Sequence, residues 1–100
     1  MVARRVRRQT FIVAIITIPG TSDALLLEDY WEGPKVFANL SRVREDGTVV
    51  WRAAPPLPTS SDSWTQARVE GTEVTAYSWS GFLVRLDLES GQEISREFVK

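Results

Sequence analysis

The stretch SWTQARVEGTEVTAYSWSGFLVRLDLESGQEISREFV, residues 63–99, decides the fold class of this chain. Gly71, Gly81 and Gly91 mark turns within it, and short apolar runs separated by glycine are typical of consecutive β-hairpins. The stretch therefore predicts a four-stranded antiparallel sheet. The candidate strands are residues 63–70, 74–80, 82–88 and 94–99.

The N-terminal half predicts a second sheet of the same kind. Its candidate strands are residues 8–18, 24–30, 36–44 and 48–53. The first of these is apolar on both faces, which favours a central position in the sheet. No segment has a convincing helical period. We therefore expect an all-β fold of about eight antiparallel strands.

A proline-rich connector, residues 54–61, separates the two halves. Proline donates no hydrogen bond to a β-ladder, so this connector cannot be a central strand. A chain of 100 residues is one domain, with blade-like halves at residues 8–54 and 62–100. We expect the two four-stranded sheets to pack as a compact sandwich. A ring of blades assembled from several chains is the alternative.

The chain has 12 basic and 13 acidic residues, so its net charge gives no general attraction to nucleic acid or membrane. Arg4, Arg5, Arg7 and Arg8 form a basic cluster that could contact RNA or phospholipid. A solvated arm or a strand edge protected by charge is the favoured interpretation. Without cysteine there is no disulfide framework, and cytoplasm is the default compartment.

The apolar residues 11–18 follow these arginines, as in a signal peptide. No small-x-small cleavage site comes after them, and their β-branched residues suit a strand. The run is much shorter than the ~18 apolar residues of a membrane span. We therefore predict a strand and no membrane partner.

The segments DGTVVW, residues 46–51, and LDLESGQEI, residues 86–94, resemble blade repeats of quinoprotein-type β-propellers. Aligning Arg42 with Arg85 relates the two halves, although Ser95 stands where the repeat has tryptophan. About the last fifty-five residues also resemble a group of small uncharacterised bacterial proteins. The propeller likeness implies blade-like connectivity but no cofactor, because the motifs of a quinone site are absent.

An acidic and aromatic group is the first candidate binding surface. It consists of Glu28, Tyr30, Trp31 and Glu32, with Asp29 between them. A sugar ring could stack on the aromatic residues while the carboxylates bind its hydroxyls, or the group could pair with a basic protein. A strand end whose aromatics cover the sandwich edge is the simpler interpretation.

Tyr77 and Trp79 share one face of a predicted strand and form the second candidate surface. If the Ala76 side is the core, the two aromatics are exposed together as a potential hot spot for a partner. If both faces of the sheet are covered, they belong to the core. The sequence leaves both alternatives open.

Three further expectations concern side chains on the predicted strands. Trp51 should be a core anchor, on the same face as Val49 and Ala53. Arg85 and Asp87 should form a surface ion pair. The inward stripe should comprise Phe82, Val84, Leu86 and Leu88.

Catalysis has little support, because the chain lacks both histidine and cysteine. Glu28 and Asp29 would point to opposite faces of a strand and cannot flank one bond. We therefore predict a protein-binding or self-assembly module, with a homodimer as one form, and no catalytic, cofactor-binding or metal-binding residues. An immunity-type or regulatory inhibitor is the alternative. A carbohydrate-binding module that uses Tyr30 and Trp31 is a weaker one.

Overall fold

The computed structural model describes residues 12–28, 38–57 and 62–99, which contain eight antiparallel strands and no helix. The N-terminal sheet comprises β1 (Ile12–Thr17), β2 (Ala24–Glu28), β3 (Leu40–Val43) and β4 (Val49–Ala53). The C-terminal sheet comprises β5 (Trp64–Glu70), β6 (Glu73–Ser78), β7 (Phe82–Asp87) and β8 (Glu93–Phe98). Each sheet is a meander, ordered β1-β2-β3-β4 and β5-β6-β7-β8. The predicted all-β fold with two four-stranded sheets is confirmed.

The two sheets form a compact sandwich around one hydrophobic core. Alternate residues of each strand face this core, as the two-residue period of a strand requires. The Cα radius of gyration is 12.9 Å, close to the ~13 Å of a compact chain of this length. The predicted inward stripe on β7 is confirmed, since Val84 and Leu86 are buried and Phe82 and Leu88 pack against the core. The largest fully buried apolar side chains are those of Leu25, Leu40, Trp64, Val74 and Val84.

Asn39 joins the two sheets through a buried hydrogen-bond network. Its amide oxygen accepts from the Trp64 backbone N–H at 2.7 Å, and its amide nitrogen donates to the Trp64 carbonyl at 2.7 Å. The same nitrogen donates to the Glu28 carbonyl. The Trp64 indole N–H donates to the Ala53 carbonyl at 2.9 Å. Because both side chains are fully buried and satisfied, this network fixes how the sheets align.

Trp51 is the core anchor that we expected, but its neighbours on the strand differ. The indole N–H crosses to the C-terminal sheet and donates to the Leu88 carbonyl at 2.8 Å. Ala53 is buried beside it, whereas Val49 is exposed. A register shift between Arg42 and Val43 interrupts the alternation, so the expectation that Val49 shares the Trp51 face is wrong.

Among the described strands, β1 lies at the edge of its sheet, so the prediction of a central first strand is wrong. Val13 and Ile15 are more than half exposed, whereas Ala14 and Ile16 pack against the core. Apolar residues on both faces are normal for a covered central strand, but they do not determine the order of strands in a sheet.

Asp62 anchors the end of the connector. Its carboxylate is buried and accepts hydrogen bonds from the backbone N–H groups of Leu57, Ser63 and Ser80 and from the Ser80 hydroxyl. It therefore ties the chain before β5 to the turn after β6. Residues 58–61 of the predicted connector lie outside the described part of the chain, as does the basic cluster Arg4, Arg5, Arg7 and Arg8.

Candidate functional site

Tyr77 and Trp79 are exposed together on the outer face of the C-terminal sheet. Val74, Ala76 and Ser78 occupy the inner face of the same segment and are buried. The side chains of Tyr77 and Trp79 must therefore point outward, and they are 38% and 56% exposed. Of the two alternatives that the sequence leaves open, the structure shows the exposed one.

The cross-strand register places two further residues beside Tyr77. Gln66 on β5 and Leu83 on β7 are its direct partners, and Glu97 on β8 is the partner of Leu83. A row of side chains therefore runs across the whole outer face. We call Gln66, Tyr77, Trp79 and Leu83 the Tyr77–Trp79 surface.

A shallow cavity of about 170 Å³ lies within this face. It is lined by Gln66, Ala67, Arg68, Thr75, Tyr77 and Leu83. Tyr77 supplies an aromatic wall, and Gln66 and Arg68 supply hydrogen-bond donors. The cavity can therefore accept one side chain of a larger molecule.

Two ion pairs, Arg68 with Glu70 and Arg85 with Glu73, lie along the rest of the outer face. Arg68 lies 2.8 Å from Glu70, and the Thr75 hydroxyl donates to the same carboxylate at 2.6 Å. The hydrogen bond from Thr75 is the main reason that the pKa of Glu70 lies below its ordinary value, and the positive charge of Arg68 adds to it. Glu70 is therefore held in its charged form as the partner of Arg68.

Arg85 pairs with Glu73 rather than with Asp87, so the expected pair of Arg85 and Asp87 is wrong. Its guanidinium donates twice to one Glu73 carboxylate oxygen, at 2.7 and 2.9 Å. Asp87 instead accepts from the backbone N–H and the hydroxyl of Ser90. The cross-strand register brings Glu73 within reach of Arg85, and the turn after β7 engages Asp87.

The acidic and aromatic candidate group is described only at Glu28. Its carboxylate lies 3.9 Å from the Arg52 guanidinium, and its side chain is 16% exposed. Tyr30, Trp31 and Glu32 lie outside the described residues. Glu28 alternates with the core residues Leu25 and Leu27, so it belongs to the outer face of the other sheet. The structure therefore does not bring Glu28 together with Tyr77 and Trp79.

Sequence reasoning missed Gln66, which comes next to Tyr77 only through pairing of β5 with β6. The period-two pattern of residues 66, 68 and 70 marks them as outward-facing. That pattern does not show which of them is opposite Tyr77. A register shift between Trp64 and Gln66 sets this neighbour, and no local residue type reveals it.

Comparison with known proteins gives a family but no activity. In the part of the chain that the structure describes, no helix has the length and apolarity needed to cross a membrane. No curated protein matches the chain. A family model described as "Domain of unknown function (DUF7957)" matches residues 6–98, which is nearly the whole sequence and includes both sheets. The quinoprotein-type likeness remains a resemblance of two short segments. The chain belongs to the DUF7957 family.

Proposed function

We propose that this chain is a non-catalytic, cytoplasmic module that binds another protein through the Tyr77–Trp79 surface. The exposure of two large aromatic side chains, one on β6 and one in the turn that follows it, is the observation that carries the proposal. Tyrosine and tryptophan supply much of the binding energy at protein interfaces. An immunity-type or regulatory inhibitor would be one form of such a module, with an enzyme or toxin as the partner.

The rigidity of the scaffold supports a binding role for these side chains. Tyr77 lies on β6, which is paired on both sides by β5 and β7. The segment that carries it is held from beneath by the core residues Val74 and Ala76. The backbone of a strand paired on both sides is already ordered, so binding through Tyr77 does not have to order it.

The shape of the surface supports a protein partner over a small metabolite. The cavity beside Tyr77 measures about 170 Å³, whereas pockets for drug-sized ligands measure roughly 300–1,000 Å³. Arg68 and Arg85 are paired with Glu70 and Glu73 within the sheet, so these two arginines place no strong demand on a ligand's charge. A flat face with one shallow cavity suits a partner that inserts one side chain.

Affinity purification with matched variants tests the proposal. The wild-type chain, Tyr77→Ala/Trp79→Ala and the control Phe98→Ala would each be used as bait, and the captured proteins quantified by mass spectrometry. Phe98 is a 61% exposed aromatic residue on the inner side of β8, away from the Tyr77–Trp79 surface. We expect one protein to be retained by the wild type and by the control and lost with the double variant.

The captured protein would then be purified and its affinity measured by calorimetry. Two hot-spot residues predict a Kd raised by about 30-fold or more in the double variant. Equal capture by the double variant and the wild type would contradict the proposal. A stable complex with a glycan that is lost in Trp31→Ala would instead support the carbohydrate alternative.

A further inference from the structure

β1 presents an unpaired backbone edge among the described residues. It pairs with β2 and lies at the end of the sheet order. The Ile18 N–H donates to the Asp23 carbonyl across the hairpin, at 3.2 Å. Because alternate residues of an antiparallel strand direct their N–H and C=O groups to opposite sides, Ile16 points these groups toward β2. Ile15 and Thr17 therefore point theirs away from the sheet.

The side chains along this edge are exposed and uncharged. Ile12, Val13 and Ile15 are 54%, 61% and 62% exposed, and β1 contains no charged residue. A strand edge of this kind is a template for pairing with another chain, and soluble proteins usually protect such edges with charges or proline. Here a register shift between Ile12 and Ala14 and the proline at position 19 limit the pairing segment to residues 14–18.

We propose that a second copy of this chain pairs with this edge as an antiparallel, two-fold symmetric dimer. The symmetry axis passes between Ile16 of one copy and Ile16 of the second copy. Ile15 of each copy is then opposite Thr17 of the other, and these are the residues whose backbone groups point outward. The pairing forms about four backbone hydrogen bonds and joins the two N-terminal sheets into one continuous sheet.

This register is self-complementary on both faces. On the outer face, Ile15 meets Thr17, a pair of β-branched side chains of the type that stabilises neighbouring strands. On the inner face, Ile16 meets Ile16, and Ala14 is opposite Ile18. Every one of these pairs is uncharged, so the pairing of residues 14–18 brings no like charges together. A two-fold interface is also the commonest form of soluble oligomer.

The edge strand β8 of the C-terminal sheet is less suited to the same arrangement. The Val99 N–H donates to the Gly81 carbonyl, so Arg96 and Phe98 direct their backbone groups to the free edge. A two-fold axis at Arg96 would place two guanidinium groups opposite each other. An axis at Glu97 would do the same with two carboxylates. Like charges opposite each other destabilise strand pairing, so β1 suits a second copy better than β8 does.

Solution mass with charge variants tests this proposal. Sedimentation would be followed over roughly a hundredfold dilution for the wild type, Ile15→Lys and the control Ile94→Lys. Ile94 is 50% exposed on β8, so the control places the same charge on an edge strand of the C-terminal sheet. We expect a concentration-dependent dimer for the wild type and for the control. Ile15→Lys should raise the dimer dissociation constant by at least about tenfold, because a lysine at a strand edge opposes pairing.

Two further variants test the register. Ile15→Lys/Thr17→Glu should restore the dimer, because each lysine then faces a glutamate of the second copy. Thr17→Pro should abolish the dimer without breaking the β1–β2 ladder, because only an outward N–H is removed. It also provides a test if Ile15→Lys fails to fold. Hydrogen exchange at the Ile15 and Thr17 amides should slow as the protein concentration rises.

A wild-type chain that stays monomeric across the dilution series would overturn the proposal. Equal loss of the dimer in Ile15→Lys and Ile94→Lys would overturn it too. Failure of Ile15→Lys/Thr17→Glu to restore the dimer would disprove this register. Tyr77→Ala/Trp79→Ala should leave the dimer intact, so the outcome is separate from that of the proposed protein-binding function.

Discussion

The two sheets have the same strand order but present opposite sides to the core. Arg42 on β3 and Arg85 on β7 correspond in the internal sequence similarity. Arg42 faces the core, is 8% exposed, pairs with Asp23 at 2.8 Å and donates to the Leu88 carbonyl. Arg85 faces solvent and pairs with Glu73. The face that carries Arg42 in the N-terminal sheet therefore packs in the core, whereas the corresponding face of the C-terminal sheet, which carries Arg85, is exposed to solvent.

The backbone hydrogen bonds give the same result without the sequence alignment. The Glu28 side chain faces outward at the end of β2. Its N–H donates to the Asn39 carbonyl, just before β3, and so points toward the next strand in the sequence. The Trp79 side chain faces outward after β6. Its N–H donates to the Ser63 carbonyl, just before β5, and so points toward the preceding strand in the sequence. For L-amino acids, the side to which the N–H points fixes the face that the side chain occupies. The outer faces of the two sheets are therefore not equivalent.

The chemistry of these faces shows why the stacking stops at two sheets. The face that packs in the N-terminal sheet carries Leu25, Leu40 and Trp51. The corresponding face of the C-terminal sheet carries the ion pairs of Arg68 with Glu70 and of Arg85 with Glu73. A ring of chains that stacked another sheet on this face would bury these charges at a high desolvation cost. This argues for the two-layer sandwich.

The largest expected effect comes from removing the tryptophan that joins the sheets. Trp64 is 1% exposed, and its indole N–H bonds to the Ala53 carbonyl. Trp64→Ala should lower the free energy of unfolding by about 3–5 kcal/mol, through the cavity and the orphaned carbonyl. Trp79→Ala, on the outer face of the same sheet, should lower it by less than Trp64→Ala does, because the Trp79 side chain is 56% exposed. Urea unfolding of both variants measures the difference, and similar losses would contradict the assignment of inner and outer faces.

Corresponding turns of the two halves should respond differently to the same substitution. Gly47 and Gly91 both have positive φ, at 92° and 76°. A Cβ at Gly91 would lie 2.5 Å from Cδ2 of Trp51, whereas one at Gly47 would meet nothing within 4 Å. Gly47→Ala should cost about 1–2 kcal/mol of stability from backbone strain alone. Gly91→Ala should cost about 1–3 kcal/mol more, because the tryptophan must move.

Thermal unfolding of the two glycine variants measures this difference. Near-ultraviolet circular dichroism should change in Gly91→Ala, since the environment of Trp51 is altered, and remain unchanged in Gly47→Ala. Equal losses of stability in the two variants would show that the β7–β8 turn does not contact Trp51.

The smallest expected effect is a pH dependence of the free energy of unfolding, to which the β3–β4 turn and the β7–β8 turn both contribute. Hydrogen bonds from Thr48 lower the pKa of Asp46 below its ordinary value of 3.8, and hydrogen bonds from Ser90 lower that of Asp87 in the same way. A carboxyl group with a lowered folded-state pKa stabilises the protein above the unfolded value, and this contribution disappears as pH falls through the folded value. Stability should therefore decrease below about pH 4.

Asp46→Asn and Asp87→Asn should each flatten this decrease, as measured by urea midpoints between about pH 5 and pH 2.5. The control is Glu89→Gln, which changes another carboxylate in the β7–β8 turn. Among the described residues, no side chain donates a hydrogen bond to the Glu89 carboxylate. An unchanged acid profile in both aspartate variants would show that the turn hydrogen bonds do not persist in solution.

The sequence by itself determined the strands, the turns and the side of β7 that faces the core. These features depend on local chemistry: glycine allows the positive φ of the turns, and alternating apolar residues suit one covered face. The exposure of Tyr77 required one more fact, the side on which Ala76 is buried, and that depends on the other sheet.

Only the tertiary structure decided the edge position of β1, the burial of Arg42 and the choice of Glu73 as the partner of Arg85. Each depends on residues distant in sequence, brought together by strand order and register. A register shift also separated Val49 from the Trp51 face. Local sequence specifies the conformation of each strand, but neighbours from other strands set which of its side chains are covered, because burial is a property of the packed sheets.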